Sequence, residues 1–254
     1  MDRTDWESAG AYDHLRALDA PGFAWEFLTR NQKFQRDYNG LQRAAEHGKR
    51  DRGAEDCFAL RWGVRFRRRC PETRAGRCAL DTAGAAELAT LMSLPPGLAD
   101  PKLAVPPPRP EDKTDRDHII KTAGAVLRVH TLDELAGDEA GVLLPLDRLF
   151  EFRVTAAVRL WRGLSGRKPG PNPAALPTTR RDRFVLVLRA LDARMTGVTY
   201  RDVAAGLFGP QAVPDRAWKT HDLRDRVIRL VRFGVSMREG GYRQLLLYPI
   251  RRKP

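Results

Sequence analysis

Seven side chains near the C-terminus have types and spacing suited to binding a polyanion. They lie within 14 residues of sequence and are Lys219, Thr220, His221, Arg224, Arg226, Arg229 and Arg232. Guanidinium groups donate paired hydrogen bonds to phosphate oxygens and to the guanine edge, and lysine brings a point charge to phosphate. The stretch therefore predicts a nucleic-acid contact, with double-stranded DNA as the expected ligand.

The same stretch has the periodicity of an amphipathic helix over residues 219–234. At about 100° per residue, one side holds the apolar residues Leu223, Val227, Leu230, Val231 and Gly234. The opposite side holds the polar residues His221, Asp225, Arg229 and Arg232. Such a helix buries one stripe and offers the other, as a recognition helix does. Lys219, Thr220 and His221 would lie at its N-terminal end, which is the end that meets base edges.

A second interpretation of these arginines is an ordinary solvated helix. Asp222 precedes Arg226 by four residues, and Asp225 precedes Arg229 by four. Acidic and basic residues at this spacing form ion pairs on exposed helices. The sequence leaves open which arginines bind DNA and which pair with these aspartates.

A catalytic alternative rests on His221 and Arg224, which fit the His-x-x-Arg pattern of tyrosine recombinases. In that family, the pair stabilises phosphoryl charge while a downstream tyrosine attacks. Tyr242 and Tyr248 follow Arg224 by 18 and 24 residues, a gap shorter than that family has. We therefore expect no enzyme activity, and a recombinase-like DNA enzyme stays the second alternative.

Metal and cofactor sites are not expected. The three cysteines, Cys57, Cys70 and Cys78, form no Cys-x-x-Cys pair and have no histidine close by, as a zinc site would require. Cys57 is predicted to be a small core residue. Such sparse cysteine usage indicates a reducing cytoplasm rather than a disulfide scaffold.

Positive charge is concentrated toward the C-terminus. Residues 180–254 contain 17 Lys and Arg against seven Asp and Glu, which gives +10 of the total net charge of +13. A basic field beside the predicted helix favours a nucleic-acid partner. Membrane binding is not expected, because no stretch of about 18 apolar residues occurs and the N-terminus lacks a signal peptide's apolar core.

The chain is expected to be α+β and mostly helical, in four parts. Residues 1–55 predict a helical module, in which Asn31 can cap a helix that runs toward His47 and Gly48. Residues 56–164 predict a small α/β middle region with a proline-rich loop over 94–110. Residues 165–179 hold four prolines and two glycines and predict a linker. Residues 180–254 then form a DNA-binding module.

Strands are expected only in the middle region. Residues 58–66 alternate apolar with basic or small side chains, which predicts a half-buried strand. A strand pair is predicted at 118–121 and 125–130, a further strand at 142–146, and a helix over 147–164.

Two helices precede the amphipathic one in the C-terminal module. The first, over residues 180–195, is apolar enough to be buried on most sides. The second begins at Thr199, where Thr199-Tyr200-Arg201-Asp202 has the pattern of a helix start, and Gly209 ends it. The link from Gly209 to Trp218 exceeds the usual turn of about three or four residues, so a helix–turn–helix variant is expected.

Several of these motifs resemble the proteobacterial family of domain of unknown function 2285. They include Arg189-Ala190-Leu191-Asp192, Leu207-Phe208-Gly209 and Gly240-Gly241-Tyr242-Arg243, with residues 197–204, 218–220 and 223–230. Near the N-terminus, Asp5-Trp6, Tyr12 and residues 22–31 resemble domain of unknown function 6499, its frequent companion. The order of the two domains matches, and the likeness covers most of the chain.

The resemblance implies a helix–turn–helix variant that controls transcription of integrative and conjugative elements. Family members include activators of excision and transfer genes, and small antiactivators that bind those activators. A chain with both modules is more similar to the activators. We expect the aromatic-rich N-terminal module to engage RNA polymerase, an antiactivator or a second copy, as in a homo-oligomer. The first alternative is an antiactivator-like module whose basic surface binds an acidic protein.

Overall fold

The computed structural model describes residues 5–49, 51–64, 89–100, 103, 105, 117–122, 125–132, 139–147, 149–172, 175–214, 218–246 and 248. The described residues of Met1–Asp81 and Leu176–Leu246 form a helical unit, and those of Thr82–Ala175 and Leu247–Pro254 form a sheet unit. Most described residues are helical and one mixed sheet is present, so the predicted α+β class is confirmed.

The first helices begin at side chains that cap them. A 3-10 helix covers Gly10–Ala17, α1 covers Ala20–Leu28 and α2 covers Gln32–Glu46. The Asp19 carboxylate accepts a hydrogen bond from the Gly22 N–H at 2.8 Å, and Pro21 occupies the first turn, where no N–H is needed. Asn31 accepts from two N–H groups of the next turn, which confirms the predicted start of α2.

Helix α3, Arg52–Trp62, replaces much of the predicted strand. The strand prediction for 58–66 is wrong for residues 58–62, and its end from Arg65 onward lies outside the described residues. Phe58 and Trp62 are one helical turn apart and both pack on Phe34, with ring centroids 5.6 and 5.5 Å away. Leu60 between them is 85% exposed. In an alternating run, every second apolar residue is four positions from the last, which is the spacing of neighbours on one face of a helix. The same pattern therefore also fits a helix.

The two ends of α3 explain why the helix forms. The Asp51 side chain accepts from the Ala54 N–H at 3.2 Å, and Gly63 ends the helix in the left-handed conformation with φ of 70°.

Cys57 lies on the exposed side of this helix, so its prediction as a core residue is wrong. Cys70 and Cys78 lie outside the described residues.

The sheet unit contains four described strands. They are β1 (Ala89–Ser93), β2 (Asp117–Thr122), β3 (Ala125–Thr131) and β4 (Ala140–Leu143), in the order β2-β3-β1-β4. β3 is antiparallel to β2 and parallel to β1, and β4 is antiparallel to β1. The predicted strand pair at 118–121 and 125–130 is therefore confirmed. The strand predicted at 142–146 ends at Leu143, before Pro145, which has no N–H for a ladder.

Helix α4, Phe150–Leu164, covers this sheet. The core contains Ala89, Leu91, Ile120, Leu127, Val129 and Leu160. Gly163 allows the close approach, because a Cβ there would lie 2.8 Å from the Thr122 methyl group. The helix begins three residues later than predicted, because Asp147 precedes it and accepts hydrogen bonds from Arg153 and the Leu149 N–H. The hydrogen bond from Arg153 lowers the pKa of Asp147 most, and the bond from the Leu149 N–H lowers it further.

Four helices complete the helical unit. They are α5 (Thr178–Met195), α6 (Tyr200–Phe208), α7 (Asp222–Ser236) and the short α8 (Arg243–Leu246). The predicted helix start at Thr199 is confirmed. Its hydroxyl accepts from the Asp202 N–H at 3.2 Å, and the Asp202 carboxylate accepts from the Thr199 N–H at 3.0 Å.

Residues from both ends of the chain share the core of the helical unit. Phe184 of α5 packs on Phe23 and Phe27 of α1, at centroid distances of 5.2 and 6.0 Å. The Tyr242 hydroxyl donates to the Trp62 carbonyl at 2.6 Å. The N-terminal aromatic residues that are buried here therefore pack inside the unit, against the C-terminal helices.

A buried network of charges joins α1 to α5. The Arg30 guanidinium donates to both carboxylate oxygens of Asp192 at 2.7 Å, and to the Glu26 carboxylate at 2.8 Å. The Tyr12 hydroxyl donates to Asp192 at 2.7 Å. Arg30 is 4% exposed and Asp192 is 1% exposed. Burial, reinforced by the Asp192 charge, raises the pKa of Tyr12.

Candidate nucleic-acid interface

Helices α5, α6 and α7 pack on one another and hold the predicted contact residues. Val203 and Ala204 of α6 are buried, and so are Val227 and Val231 of α7. Gly234 brings α7 close to α5, because a Cβ there would lie 3.2 Å from both Leu191 Cβ and Val187 Cγ1. The apolar stripe predicted for α7 is thus its packing side.

The opposite side of α7 is exposed. Arg226, Arg229 and Arg232 are exposed, and Arg224 is half-buried at the edge of the packing side. Arg229 and Arg232 lie on the side of the helix opposite its buried residues, which are Val227, Leu230, Val231 and Gly234. This exposed side is called the arginine face here, and its arginines are Arg229 and Arg232.

Helix α7 starts three residues later than the sequence indicates. It was expected from Lys219, but Lys219 and Thr220 lie in a 3-10 turn, Trp218–Thr220. His221 is the cap, with its Nδ1 accepting from the Leu223 N–H at 3.2 Å. A histidine cap is uncommon, and for that reason the residue types did not indicate this boundary. All three residues are exposed just ahead of the helix, at the end predicted to meet base edges.

The arginines differ in what they contact. Arg224 lies 3.5 Å from the Asp225 carboxylate, and the Arg226 guanidinium lies 4.5 Å from the centre of the Phe208 ring. Within the described parts of the chain, the side chains of Arg229 and Arg232 have no hydrogen bond or ion pair. The alternative pairs of Asp222 with Arg226 and of Asp225 with Arg229 do not form among these residues.

The connection between α6 and α7 is long. Thirteen residues separate Phe208 from Asp222, and they include short 3-10 turns at Pro210–Ala212 and Trp218–Thr220. Residues 215–217 of this connection lie outside the described chain. Three mutually packed helices with this link have the order that the helix–turn–helix variant requires, and the variant itself stays a prediction.

Sequence reasoning did not single out the arginines at the start of α5. The Arg183 guanidinium lies 5.3 Å from the centre of the Phe233 ring of α7, and Arg180 lies 5.6 Å from that of Phe184. Phe184 and Phe233 stack with centroids 6.3 Å apart and planes 4° apart. The run Arg180-Arg181-Asp182-Arg183 was a local charge signal, but its proximity to α7 depends on contacts between helices.

The recombinase alternative needs a reactive tyrosine. Tyr242 is 1% exposed, its hydroxyl donates to the Trp62 carbonyl, and burial raises its pKa. His221 caps α7 through its ring nitrogen. This arrangement gives Tyr242 neither the exposure nor the acidity of a nucleophile. Tyr248 is half-buried and has a partner of its own.

The described residues contain neither a metal-binding cluster nor a membrane-spanning helix. No group of His, Cys, Asp or Glu there has the arrangement to hold a metal ion. Of the helices in that part of the chain, none combines the length and the apolar character needed to cross a membrane.

Two family models match separate parts of the chain. One, described as a proteobacterial transcriptional regulator-like domain, matches residues 5–67. The other, described as "T6SS, Transcription factor, DNA binding domain", matches residues 143–247 and so includes the arginine face. No curated protein matches the chain. The resemblance to domains of unknown function 2285 and 6499 stays a prediction. The two matches support a transcription regulator that binds DNA.

Proposed function

We propose that this chain is a cytoplasmic, sequence-specific regulator that inserts α7 into the major groove of its operator. The observation that carries the proposal is the arginine face, which is exposed on the side opposite the packing stripe. Lys219, Thr220 and His221 would meet base edges or phosphates ahead of the helix. Arg224, Arg226, Arg229 and Arg232 would supply the remaining contacts.

The dimensions and charge of the helix favour this mode. A major groove is about 12 Å wide and accepts one helix, whose diameter with side chains is about 10–12 Å. An unpaired exposed arginine can donate two hydrogen bonds to the O6 and N7 of a guanine without breaking an existing ion pair. Arg229 and Arg232 meet that condition among the described residues.

The target genes are the finer part of the proposal. The resemblance of both ends of the chain favours activation of excision or transfer genes of an integrative and conjugative element. The description of the matched DNA-binding family instead names T6SS, which favours genes of a type VI secretion system. Sequencing the DNA fragments that the purified chain retains from its own genome would separate these two sets of promoters. RNA polymerase, a small antiactivator and a second copy are the proposed protein partners.

A matched pair of variants tests the DNA contact. Arg229→Ala with Arg232→Ala removes two charges from the arginine face. Arg36→Ala with Arg43→Ala removes two charges from the exposed side of α2. Affinity for the operator, measured by fluorescence anisotropy, should fall roughly 10- to 100-fold for the first pair and stay near wild type for the second. Equal affinities of the two pairs would count against the contact set.

The salt dependence separates DNA binding from the antiactivator-like alternative. Each phosphate contact adds about 0.9 to the slope of log affinity against log salt, so DNA affinity of the wild-type chain should fall steeply as salt rises if several phosphates are contacted. A chain that binds no duplex at about 0.1 M salt but retains an acidic protein would support the alternative. Covalent capture of a nicked strand at Tyr242 or Tyr248 would establish the recombinase alternative.

A further inference from the structure

Two arginines beside the arginine face are held against aromatic rings. Arg183 of α5 lies over Phe233, and Arg226 of α7 lies over Phe208 of α6. Both arginines are exposed. Within the described residues, neither has a carboxylate partner. Their guanidinium groups are therefore fixed in place by rings but keep their N–H edges available.

These two arginines lie along the same side of α7. At about 100° per residue, Phe233 is about 40° from Arg229 around the helix axis, and Arg226 is about 60° from it in the same direction. Arg183 sits over Phe233 and so extends that side onto α5. Arg229 and Arg232 occupy the middle of the face. When a helix enters a groove, its middle meets base edges and its sides meet the sugar–phosphate walls.

A stacked arginine is well suited to a phosphate. The ring contact restricts the side chain before binding, so less conformational entropy is lost when the phosphate is bound. The planar guanidinium can stack through its face and donate to phosphate oxygens through its edge at the same time. Lysine cannot do both in this way.

We infer that Arg183 and Arg226 form a phosphate clamp on one strand of the operator, with Phe233 and Phe208 as positioning residues. The clamp rests on the proposed function, and it adds α5 to the DNA contact surface. The arginines then have two different roles. Arg183 and Arg226, which stack on rings, bind phosphates and give affinity for any duplex. Arg229 and Arg232 then distinguish one sequence from another.

The test uses the full-length chain with Arg183→Ala, and with Arg36→Ala as the control for loss of one exposed positive charge. Affinity is measured for the operator and for a scrambled duplex across a range of salt. Arg183→Ala should weaken both complexes by the same factor, roughly 3- to 10-fold, and lower the salt slope by about 0.9. The ratio of the two affinities should stay at the wild-type value. Arg229→Ala should instead lower that ratio.

Two further measurements separate a phosphate contact from a purely structural role. Ethylation of individual operator phosphates should interfere with wild-type binding at a cluster on one strand. Ethylation at one or two of those phosphates should no longer reduce binding of the Arg183→Ala variant. Phe233→Leu keeps every charge, so it should weaken both complexes while the salt slope stays near wild type. Arg183→Lys also keeps the charge, so it too should weaken both complexes while the salt slope stays near wild type. This variant provides the measurement if Phe233→Leu unfolds.

Each result decides between the clamp and its alternatives. Wild-type affinity and slope for Arg183→Ala, beside a large loss for Arg229→Ala with Arg232→Ala, would overturn the clamp and leave the proposed function standing. A loss confined to the operator would make Arg183 a base-reading residue and would also overturn the clamp. A wild-type chain that binds no duplex would overturn the proposed function together with the clamp.

Discussion

Replacing Asp192 by alanine tests whether the buried charge network holds the two ends of the chain together. The substitution removes the carboxylate that accepts two bonds from Arg30 and one from Tyr12, all at 2.7 Å. Arg30 would stay buried with Glu26, 2.8 Å away, as its remaining ionic partner. The change therefore takes two hydrogen bonds from the guanidinium and leaves it those to the Glu26 carbonyl and carboxylate.

The size of the effect follows from burial. Removing one partner of a buried ion pair costs about 3–5 kcal/mol, because the other charge stays desolvated. Glu26 still neutralises Arg30, so the lower figure of about 3 kcal/mol applies, and the lost Tyr12 bond adds about 1 kcal/mol. A total of about 4 kcal/mol is a large part of the roughly 5–15 kcal/mol by which domains are stable. At a slope of about 2 kcal/mol per molar urea, the unfolding midpoint should fall by about 2 M.

The matched control is Asp182→Ala on the same helix. Asp182 also pairs with an arginine, Arg16, but its side chain is 45% exposed. Surface pairs contribute about 0–1 kcal/mol, so this variant should unfold within about 0.5 M urea of wild type. Both variants are followed by far-UV circular dichroism in urea. A double-mutant cycle with Arg30→Ala should give a coupling of at least about 2 kcal/mol between Arg30 and Asp192.

Two outcomes would refute the reasoning. Asp192→Ala and Asp182→Ala could unfold at the same urea concentration, or the cycle could give a coupling below about 0.5 kcal/mol. Either result would mean that the apolar contacts between α1 and α5 hold the ends together without help from the charges.

Three other perturbations test particular contacts. Gly206→Ala should destabilise the helical unit by about 1–3 kcal/mol, because a Cβ there would overlap the Trp6 ring. The control is Gly40→Ala, on a helix with nothing within 4 Å of the new methyl, which should stabilise the unit by about 0.5–1 kcal/mol. Equal urea midpoints for these two variants would contradict the close packing of Trp6. Thr199→Ala removes the cap of α6 and should cost about 1 kcal/mol in the same assay, and no change would show that the capping box contributes nothing. The pKa of Tyr12 is raised in the folded state from an ordinary value of 10.0, so the unfolded state loses this proton first and stability should fall as pH rises above about 10. Tyr12→Phe should lose less stability between about pH 9 and 11 than wild type does, and parallel curves would show that Tyr12 does not contribute.

Local signals in the sequence were enough to predict several helix boundaries. Asn31 and Thr199 cap helices as expected, because a cap depends only on one side chain and the next turn of backbone. The same locality explains the error at α3. Alternating apolar residues fit a strand or one side of a helix, and the choice was made by packing of Phe58 and Trp62 on Phe34, which is far away in sequence.

The candidate site was predicted in part. The arginine face follows from helical periodicity alone, because the pattern put Arg229 and Arg232 opposite the apolar stripe and both are exposed. The approach of Arg183 to Phe233 could not be predicted, because it depends on how α5 and α7 pack. The start of α7 was also missed, because His221 caps through a ring nitrogen instead of the usual side-chain oxygen.

The helical unit is assembled from two stretches of chain that synthesis separates in time. Phe23, Phe27 and Arg30 leave the ribosome more than 150 residues before their partners on α5. Until α5 is translated, this apolar surface lacks the partners that bury it in the folded protein, and exposed apolar surface of this kind promotes aggregation. If the proposed function holds, DNA binding by α7 should depend on this late assembly of the helical unit. A protease that cuts within the first 30 residues should therefore disturb the packing of α5 while leaving the residues of α7 intact.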